Sequence, residues 1–284
     1  MAIQPTRPIK LGQRRLTRKK HIDMSDIQVK TMAEFAAEGK EPEILFWVGC
    51  AGSFDDRAKK ITRAFAKLLN KAGVDFAVLG TEESCTGDPA KRAGNEFLFQ
   101  MQAMTNIEVM NGYNVKKIVT TCPHCYNTFK NEYPDLGGKY QVYHHSELLQ
   151  SLLEEGKLKV EGGSYEGMNI TYHDPCYLGR GNGQYEAPRE VLKQLEIDIK
   201  EMKHHKENSV CCGAGGAQMF KEAEPQKEEI FVFRTREALE TNPKVIATAC
   251  AFCNTMITDG VKFFNKEQEV KVLDIAELLV DKVK

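Results

Sequence analysis

The 284-residue sequence lacks any apolar run long enough to cross a bilayer. Its longest, around Ile44 to Gly49, falls far short of the ~20 residues a spanning helix needs. It is also poor in the residues of disordered or fibrous chains: ten prolines, with 42% hydrophobic and 28% charged residues, describe a globular protein. Neither a dinucleotide fingerprint nor a Walker pattern occurs, so Gly213, Gly215 and Gly216 read as a close-approach turn rather than a phosphate loop. Nor does the start carry the apolar segment of a secretory signal, so a cytoplasmic, reducing location is expected.

What is present is cysteine, nine residues of it, in a chain long enough for two ordinary domains that need no covalent staples. Charge is uneven. The first twenty residues hold seven Lys or Arg and no acid, whereas the remainder sets 32 basic against 40 acidic residues. With Pro5 and Pro8 and no interleaved aromatics, residues 1–40 read as a basic arm that docks on an acidic partner or is simply solvated, and no nucleic-acid role is expected.

The chain repeats itself about every 126 to 128 residues. Cys50 ends the run Ile44-Leu45-Phe46-Trp47-Val48, and 126 residues on Cys176 follows Asn169-Ile170-Thr171-Tyr172-His173-Asp174-Pro175. Cys85 and Cys211 share that offset. Cys122/Cys125 and Cys250/Cys253, each behind a β-branched run, are 128 apart. Even the tails correspond, Ser146-Glu147-Leu148-Leu149 with Ala276-Glu277-Leu278-Leu279.

Short β-branched runs alternate with helical patterns, which predicts an α/β fold of two tandem pseudo-repeats, 41–160 and 165–284, each a small, mainly parallel sheet flanked by helices. Helices are expected over 55–73, from Pro188, over 94–111 and over 226–240, with Phe97, Met101, Met104 and Phe231 as core. In such sheets the loops leaving the carboxyl ends of strands gather at one edge. Cys50, Cys122, Cys176 and Cys250 all end predicted strands, so each copy should point its cysteines into one crevice. A following helix N-terminus would favour thiolate over thiol there, and Pro123 suits the first turn of one.

The second copy reads Cys176, 34 residues, Cys211-Cys212-Gly213, 36 residues, Cys250-x-x-Cys253. The first reads Cys50, 34 residues, Cys85-Thr86-Gly87, 34 residues, Cys122-x-x-Cys125, so Thr86 stands where the second has Cys212. Four thiols and five thiols result. Zinc is the first rival, but zinc ribbons space their pairs ~15–20 residues apart and a tetrahedral ion cannot use five thiolates. A multi-iron cluster accommodates the inventory better. Cys122-Pro-His-Cys125 also fits a dithiol oxidoreductase, yet its twin lacks the proline and histidine, and five cysteines stay unexplained. Cysteines serving merely as small buried hydrophobes would not account for the repeat. His173, Asp174 and Arg180 near Cys176 are read equally as turn and surface residues or as supports of the site, and His144, His145, His204 and His205 as ordinary.

At these residues, above all Cys176 within His-Asp-Pro-Cys-Tyr-Leu-Gly-Arg, Cys211-Cys212-Gly213 and Cys250-x-x-Cys253, the chain resembles the cysteine-rich CCG domain family over residues 44–280. That family includes the cysteine-rich subunit of heterodisulfide reductase and the iron–sulfur subunits of glycolate and lactate oxidases. The resemblance implies a 4Fe-4S centre in each copy: a non-cubane one on Cys176, Cys211, Cys212, Cys250 and Cys253, and a plainer one on Cys50, Cys85, Cys122 and Cys125. It further implies electrons from a ferredoxin-like two-cluster segment or a flavoprotein. No Cys-x-x-Cys-x-x-Cys-x-x-x-Cys-Pro run occurs here, so a partner is expected to supply that segment, within the cytoplasm or beside a membrane-bound complex. The function expected is electron transfer within a multi-subunit oxidoreductase of the heterodisulfide reductase kind. The alternatives are a thiol/disulfide reductase acting at the five-cysteine cluster, and a zinc-stabilised assembly scaffold.

Overall fold

A computed structural model describes residues 27–161, 165–222 and 228–284, so most of the basic arm lies outside the described residues. The arm's end does not: β1 (Lys30–Thr31) and α1 (Met32–Ala37) already belong to the first sheet and its cover. There follow β2 (Ile44–Trp47), α2 (Gly49–Phe54), α3 (Ala58–Lys71), β3 (Phe76–Val78), α4 (Asp88–Arg92) and α5 (Glu96–Gly112). The first copy closes with β4 (Lys117–Thr120), α6 (Pro123–Asn127), β5 (Gln141–His144) and α7 (His145–Glu154). The second comprises β6 (Ile170–Tyr172), α8 (Glu186–Gln194), α9 (Ile230–Glu240), β7 (Val245–Thr248), α10 (Ala251–Phe263), β8 (Lys271–Asp274) and α11 (Ile275–Val280).

Both sheets are parallel, with strand orders β1-β3-β2-β4-β5 and β6-β7-β8. Strands β2 and β7 are buried along their whole length, as continuous apolar runs covered on both faces must be. Helix ends are set locally. Thr31, His144 and Asp274 each close a capping box with the glutamate three residues on, and Asn95 accepts from the Leu98 N–H.

The two copies share one core. Phe46, Phe65, Val119 and Leu149 of the first pack in the same cluster as Tyr172, Leu192, Ala247 and Leu279 of the second. Helix α3 lies on α11 and α7 on α8, so each copy lends a helix to the other. Polar clamps cross the same boundary. Arg57 reaches Glu277 with both guanidinium nitrogens (2.9 and 2.6 Å) and the carbonyl of Val272 at 2.7 Å. His145 Nε2 meets Asp274 Oδ1 at 2.9 Å with both side chains wholly buried, and its Nδ1 is 3.1 Å from His144 Nε2. His144 and His145 are therefore not ordinary surface residues; with Asp274 they form the polar centre of the inter-repeat contact. The remaining two are local, His204 on Glu237 and His205 on the Met202 carbonyl.

One core expectation is overturned on α5. Phe97, Met101 and Met104 are 76%, 52% and 61% exposed, and the buried side is Phe99, Ala103, Ile107 and Met110. The helix is apolar all round, so periodicity cannot say which stripe faces inward. Phe231, also expected as core, is half-buried on α9.

Removing one partner of a buried ion pair strands the other, at a cost of about 3–5 kcal/mol. Asp274→Ala, which also removes the α11 cap, is expected to lower the urea midpoint of the metal-free protein by an amount of that order. Lys157→Ala, at an exposed pair with Glu155, should leave the midpoint unchanged. Equal midpoints for the two variants would refute the clamp.

Candidate metal centres

Every cysteine sits where a strand hands over to a loop or helix. Cys50 lies in α2 just after β2, and Cys176 follows β6 by four residues. Cys122 and Cys250 occupy the N-cap positions of α6 and α10, which places Cys125 and Cys253 in their first turns. Cys85 and Cys211 are held on loops by a glycine of left-handed backbone two residues later. Gly87 (φ +88°) and Gly213 (φ +92°) aim their N–H groups at Cys85 Sγ and Cys211 Sγ, at 3.4 and 3.3 Å. A side chain at Gly87 would come within 2.8 Å of the Phe99 ring, so position and chirality both require glycine.

The four thiols of the first copy and the five of the second gather as two sets. Cys176 Sγ and Cys211 Sγ are 3.9 Å apart, Cys212 and Cys253 share a cluster with Cys250, and all nine cysteines are free. Such spacing is far beyond the ~2.05 Å of a disulfide and suits sulfurs facing a common centre. Thr86 Oγ1 lies 3.9 Å from Cys125 Sγ, in the place that Cys212 takes beside Cys253. Each set has a buried edge, Cys122/Cys125 or Cys212/Cys250/Cys253, and a half-buried edge, Cys50/Cys85 or Cys176/Cys211.

Within each set the thiols divide protons unequally. Cys50 donates to Cys85, which pushes Cys50 up and lowers Cys85 to about 6. Cys125 donates to Cys122, which raises Cys125 and lowers Cys122 to about 7. Cys176 and Cys212 both donate to Cys211 and hold it well below the ordinary thiol range, while Cys176, Cys212 and Cys253 are raised. Without a cation most of the sulfurs keep their protons; a metal centre that takes thiolates would displace them. The donor set is soft, thiol-only at its core, and larger than one tetrahedral ion can use in the second copy, so it fits an iron–sulfur cluster.

Three residues that sequence reasoning passed over stand between or beside the sets. His124 is buried at their junction, its ring 4.4 Å from Tyr177 and 5.5 Å from Phe252. Burial opposes its charge, but the Asp88 carboxylate at 2.9 Å and the neighbouring thiols raise it to about 9. By the repeat offset His124 is the twin of Phe252, a correspondence visible in the two C-x-x-C segments. Trp47 and His173 are twins in the same way. Both are wholly buried, and Trp47 Nε1 and His173 Nε2 have no hydrogen-bond partner. Asp174 does not stay in a bare turn: Arg189 grips it through two nitrogens at 2.6 and 2.9 Å. Arg180 donates to the Ser209 carbonyl at 2.8 Å.

Two parallel-sheet repeats that converge cysteines at their strand ends define a class of cysteine-rich double-repeat proteins. The "Cysteine-rich domain" (CCG) family matches residues 44–130 and 170–258, and the chain belongs to this family. It is 49% identical over 259 residues to the "Probable iron-sulfur-binding oxidoreductase FadF" of Bacillus subtilis, covering 91% of this chain and 36% of that protein. To the "EtfAB:quinone oxidoreductase" of Syntrophomonas wolfei it is 50% identical over 248 residues, 85% of this chain and 34% of that one. A dihydromethanophenazine:CoB–CoM heterodisulfide reductase subunit of Methanosarcina barkeri matches at 34% identity, 84% of this chain and 58% of the relative. The chain thus spans about a third of the length of the first two.

The proton division makes a prediction for the metal-free protein. At pH 7 iodoacetamide is expected to label Cys85 and Cys211 first, because both combine a lowered pKa with partial exposure. Cys122 should lag because it is buried. Peptide mass spectrometry that found Cys50 and Cys176 alkylated ahead of their partners would contradict the assigned donors.

Proposed function

We propose that the chain is the iron–sulfur electron-transfer part of a larger oxidoreductase, with one cluster held by each repeat. The observation that carries this reading is the pair of thiol sets meeting at a single aromatic layer, His124 against Tyr177 and Phe252, with thiols of each set also reaching a half-buried edge. Cys50, Cys85, Cys122 and Cys125 would hold the first cluster. Cys176, Cys211, Cys212, Cys250 and Cys253 would hold the second, whose extra thiolate suits a non-cubane form. A bound cluster stores and releases single electrons; the chain's own part is to fix the thiolates, keep water from the buried edge and leave the other edge open to a redox partner.

The names of the relatives support this assignment, since they include an iron–sulfur-binding oxidoreductase, a quinone oxidoreductase and a component of heterodisulfide reductase. The partner is a ferredoxin-like two-cluster protein or a flavoprotein subunit, and the finer likeness to the cysteine-rich subunit of heterodisulfide reductase is part of the same proposal. Among the described residues no helix is long and apolar enough to cross a membrane. The unit is proposed to work on the cytoplasmic side, docked to a membrane-bound complex where one exists; a "Probable membrane-anchored ferredoxin" of Chromohalobacter salexigens is among the relatives, at 39% identity.

A second reading, reduction of a thiol or disulfide substrate at the five-thiol set, draws support from a cavity of about 540 Å³ lined by Gly213, Met219, Ile230, Phe231 and Met256. Met219 and Met256 pack directly against the cysteines. A zinc-stabilised scaffold is the remaining alternative.

Anaerobic purification or reconstitution separates them. A brown protein with roughly eight irons per chain and reducible paramagnetic signals is expected. A colourless, zinc-loaded protein would overturn the electron-transfer assignment. Cys212→Thr, which copies Thr86, is expected to abolish any disulfide turnover driven by an artificial reductant, and unchanged turnover would exclude cleavage at the fifth thiolate.

A further inference from the structure

The second thiol set has a neighbour that no cysteine pattern includes. A ring nitrogen of His173 lies within 4.8 Å of both Cys212 Sγ and Cys253 Sγ, with all three residues buried. Arg234, itself wholly buried, donates from Nε to His173 Nδ1 at 3.0 Å. An arginine cannot accept a hydrogen bond, so Nδ1 must be the accepting nitrogen and the ring proton must sit on Nε2. That Nε2–H is the atom left without a partner. A buried N–H with nothing to donate to forfeits its bond to water, and a native protein rarely keeps one without a use.

We propose that His173 is a hydrogen-bond donor to the sulfur of the second cluster, held in that tautomer by Arg234, and that it raises the reduction potential of this centre above that of the first. The inference rests on the cluster assignment of the previous section. Hydrogen bonds and positive charge at cluster sulfurs stabilise the reduced, more negative state. Arg234 is a positioning residue. Its guanidinium is fixed by Glu237 Oε2 at 2.8 Å, the His204 carbonyl at 2.8 Å and Ser209 Oγ at 3.2 Å, which leaves Nε aimed at the imidazole. His173 is kept neutral, lowered to about 3 by burial and by the arginine charge, so the second ring nitrogen stays free to accept.

The first repeat supplies the comparison. At the twin position Trp47 presents another buried, unpartnered ring N–H, packed in the cluster that contains Cys122 and Cys125. Behind it, at the twin of Arg234, stands Asn106, which carries no charge and spends its amide on the Cys85 carbonyl and the Tyr133 hydroxyl. Both repeats thus set a ring N–H at the same place, but the second alone backs it with a cation. Electrons entering at the first centre would run downhill to the second.

The test uses the reconstituted full chain and begins with the unmodified protein. Electron–nuclear double resonance on the reduced clusters, with ¹⁵N-histidine and in light and heavy water, is expected to show an exchangeable proton coupled to one centre together with a weak histidine nitrogen coupling. In potentiometric titrations His173→Leu should shift the midpoint of one centre downward and leave the other in place. His173→Gln, which keeps an N–H, should restore part of the shift, and Arg234→Gln should shift the same centre. Three results overturn the proposal while the cluster assignment stands: no exchangeable proton in the loaded wild type, unmoved midpoints in a loaded His173→Leu chain, or a nitrogen coupling strong enough to make histidine a direct ligand. A chain that takes up no iron overturns the cluster assignment itself, and this inference with it.

Discussion

Thiolates repel one another, and the whole fold is arranged around bringing them together in spite of it. Two unit charges about 4 Å apart, the separation of Cys176 and Cys211, oppose each other by about 4 kcal/mol at an effective dielectric of 20. Four or five such groups would not remain in one pocket as anions. The chain meets this in two ways: it lets the sulfurs share protons while no metal is present, and it anchors their backbones in elements that cannot relax apart. The strand ends, the first turns of α6 and α10, and the Gly87 and Gly213 turns are fixed by the sheets and helices around them, whatever the thiols prefer.

The same requirement explains why the repeats fuse into one core. A single three-stranded parallel sheet such as β6-β7-β8 has two faces to cover and few helices of its own to do so. By exchanging cover, α3 onto α11 and α7 onto α8, the copies bury both sheets and bring their cysteine edges to one junction. The contact is polar at its heart. His144 and Asp274 are twins under the repeat, both cap the helix that follows, and His145 joins them. Two structurally equivalent caps are thus linked through one imidazole, in a buried chain of bonds that only a duplicated fold could form.

Much of this was legible from the residues. The offset of 126 to 128 gave the two copies, the parallel sheets and the gathering of Cys50, Cys85, Cys122 and Cys125 apart from Cys176, Cys211, Cys212, Cys250 and Cys253. The equivalence of Thr86 and Cys212 could be read from equal spacing and recurs in space. What stayed hidden depended on orientation. On α5, with apolar residues on every side, only tertiary packing could decide that Phe99 turns inward and Phe97 outward. His144, His145 and His124 lacked ligand spacing because their partners, Asp274 and Asp88, are distant in sequence. The offset itself, applied beyond the cysteines, would have paired His144 with Asp274 and Trp47 with His173.

Divergence between the copies follows a rule of charge. Replacing the first repeat's Thr86 with Cys212 adds a thiolate to a pocket that water does not reach, and a buried charge without compensation is costly. The second repeat carries one more buried cation as well: Arg234 at the position of Asn106, within electrostatic reach of Cys253. His124 adds no net charge to the first repeat, because Asp88 pairs with it. The fifth thiolate and the buried arginine are therefore best understood as one change. Their sum leaves the charge of the two pockets matched, while the hydrogen-bond donors that face the sulfurs differ: indole in one, imidazole in the other. A duplicated site that conserves charge but varies its donors keeps both pockets able to take the same kind of centre, and leaves the donors free to set the difference between them.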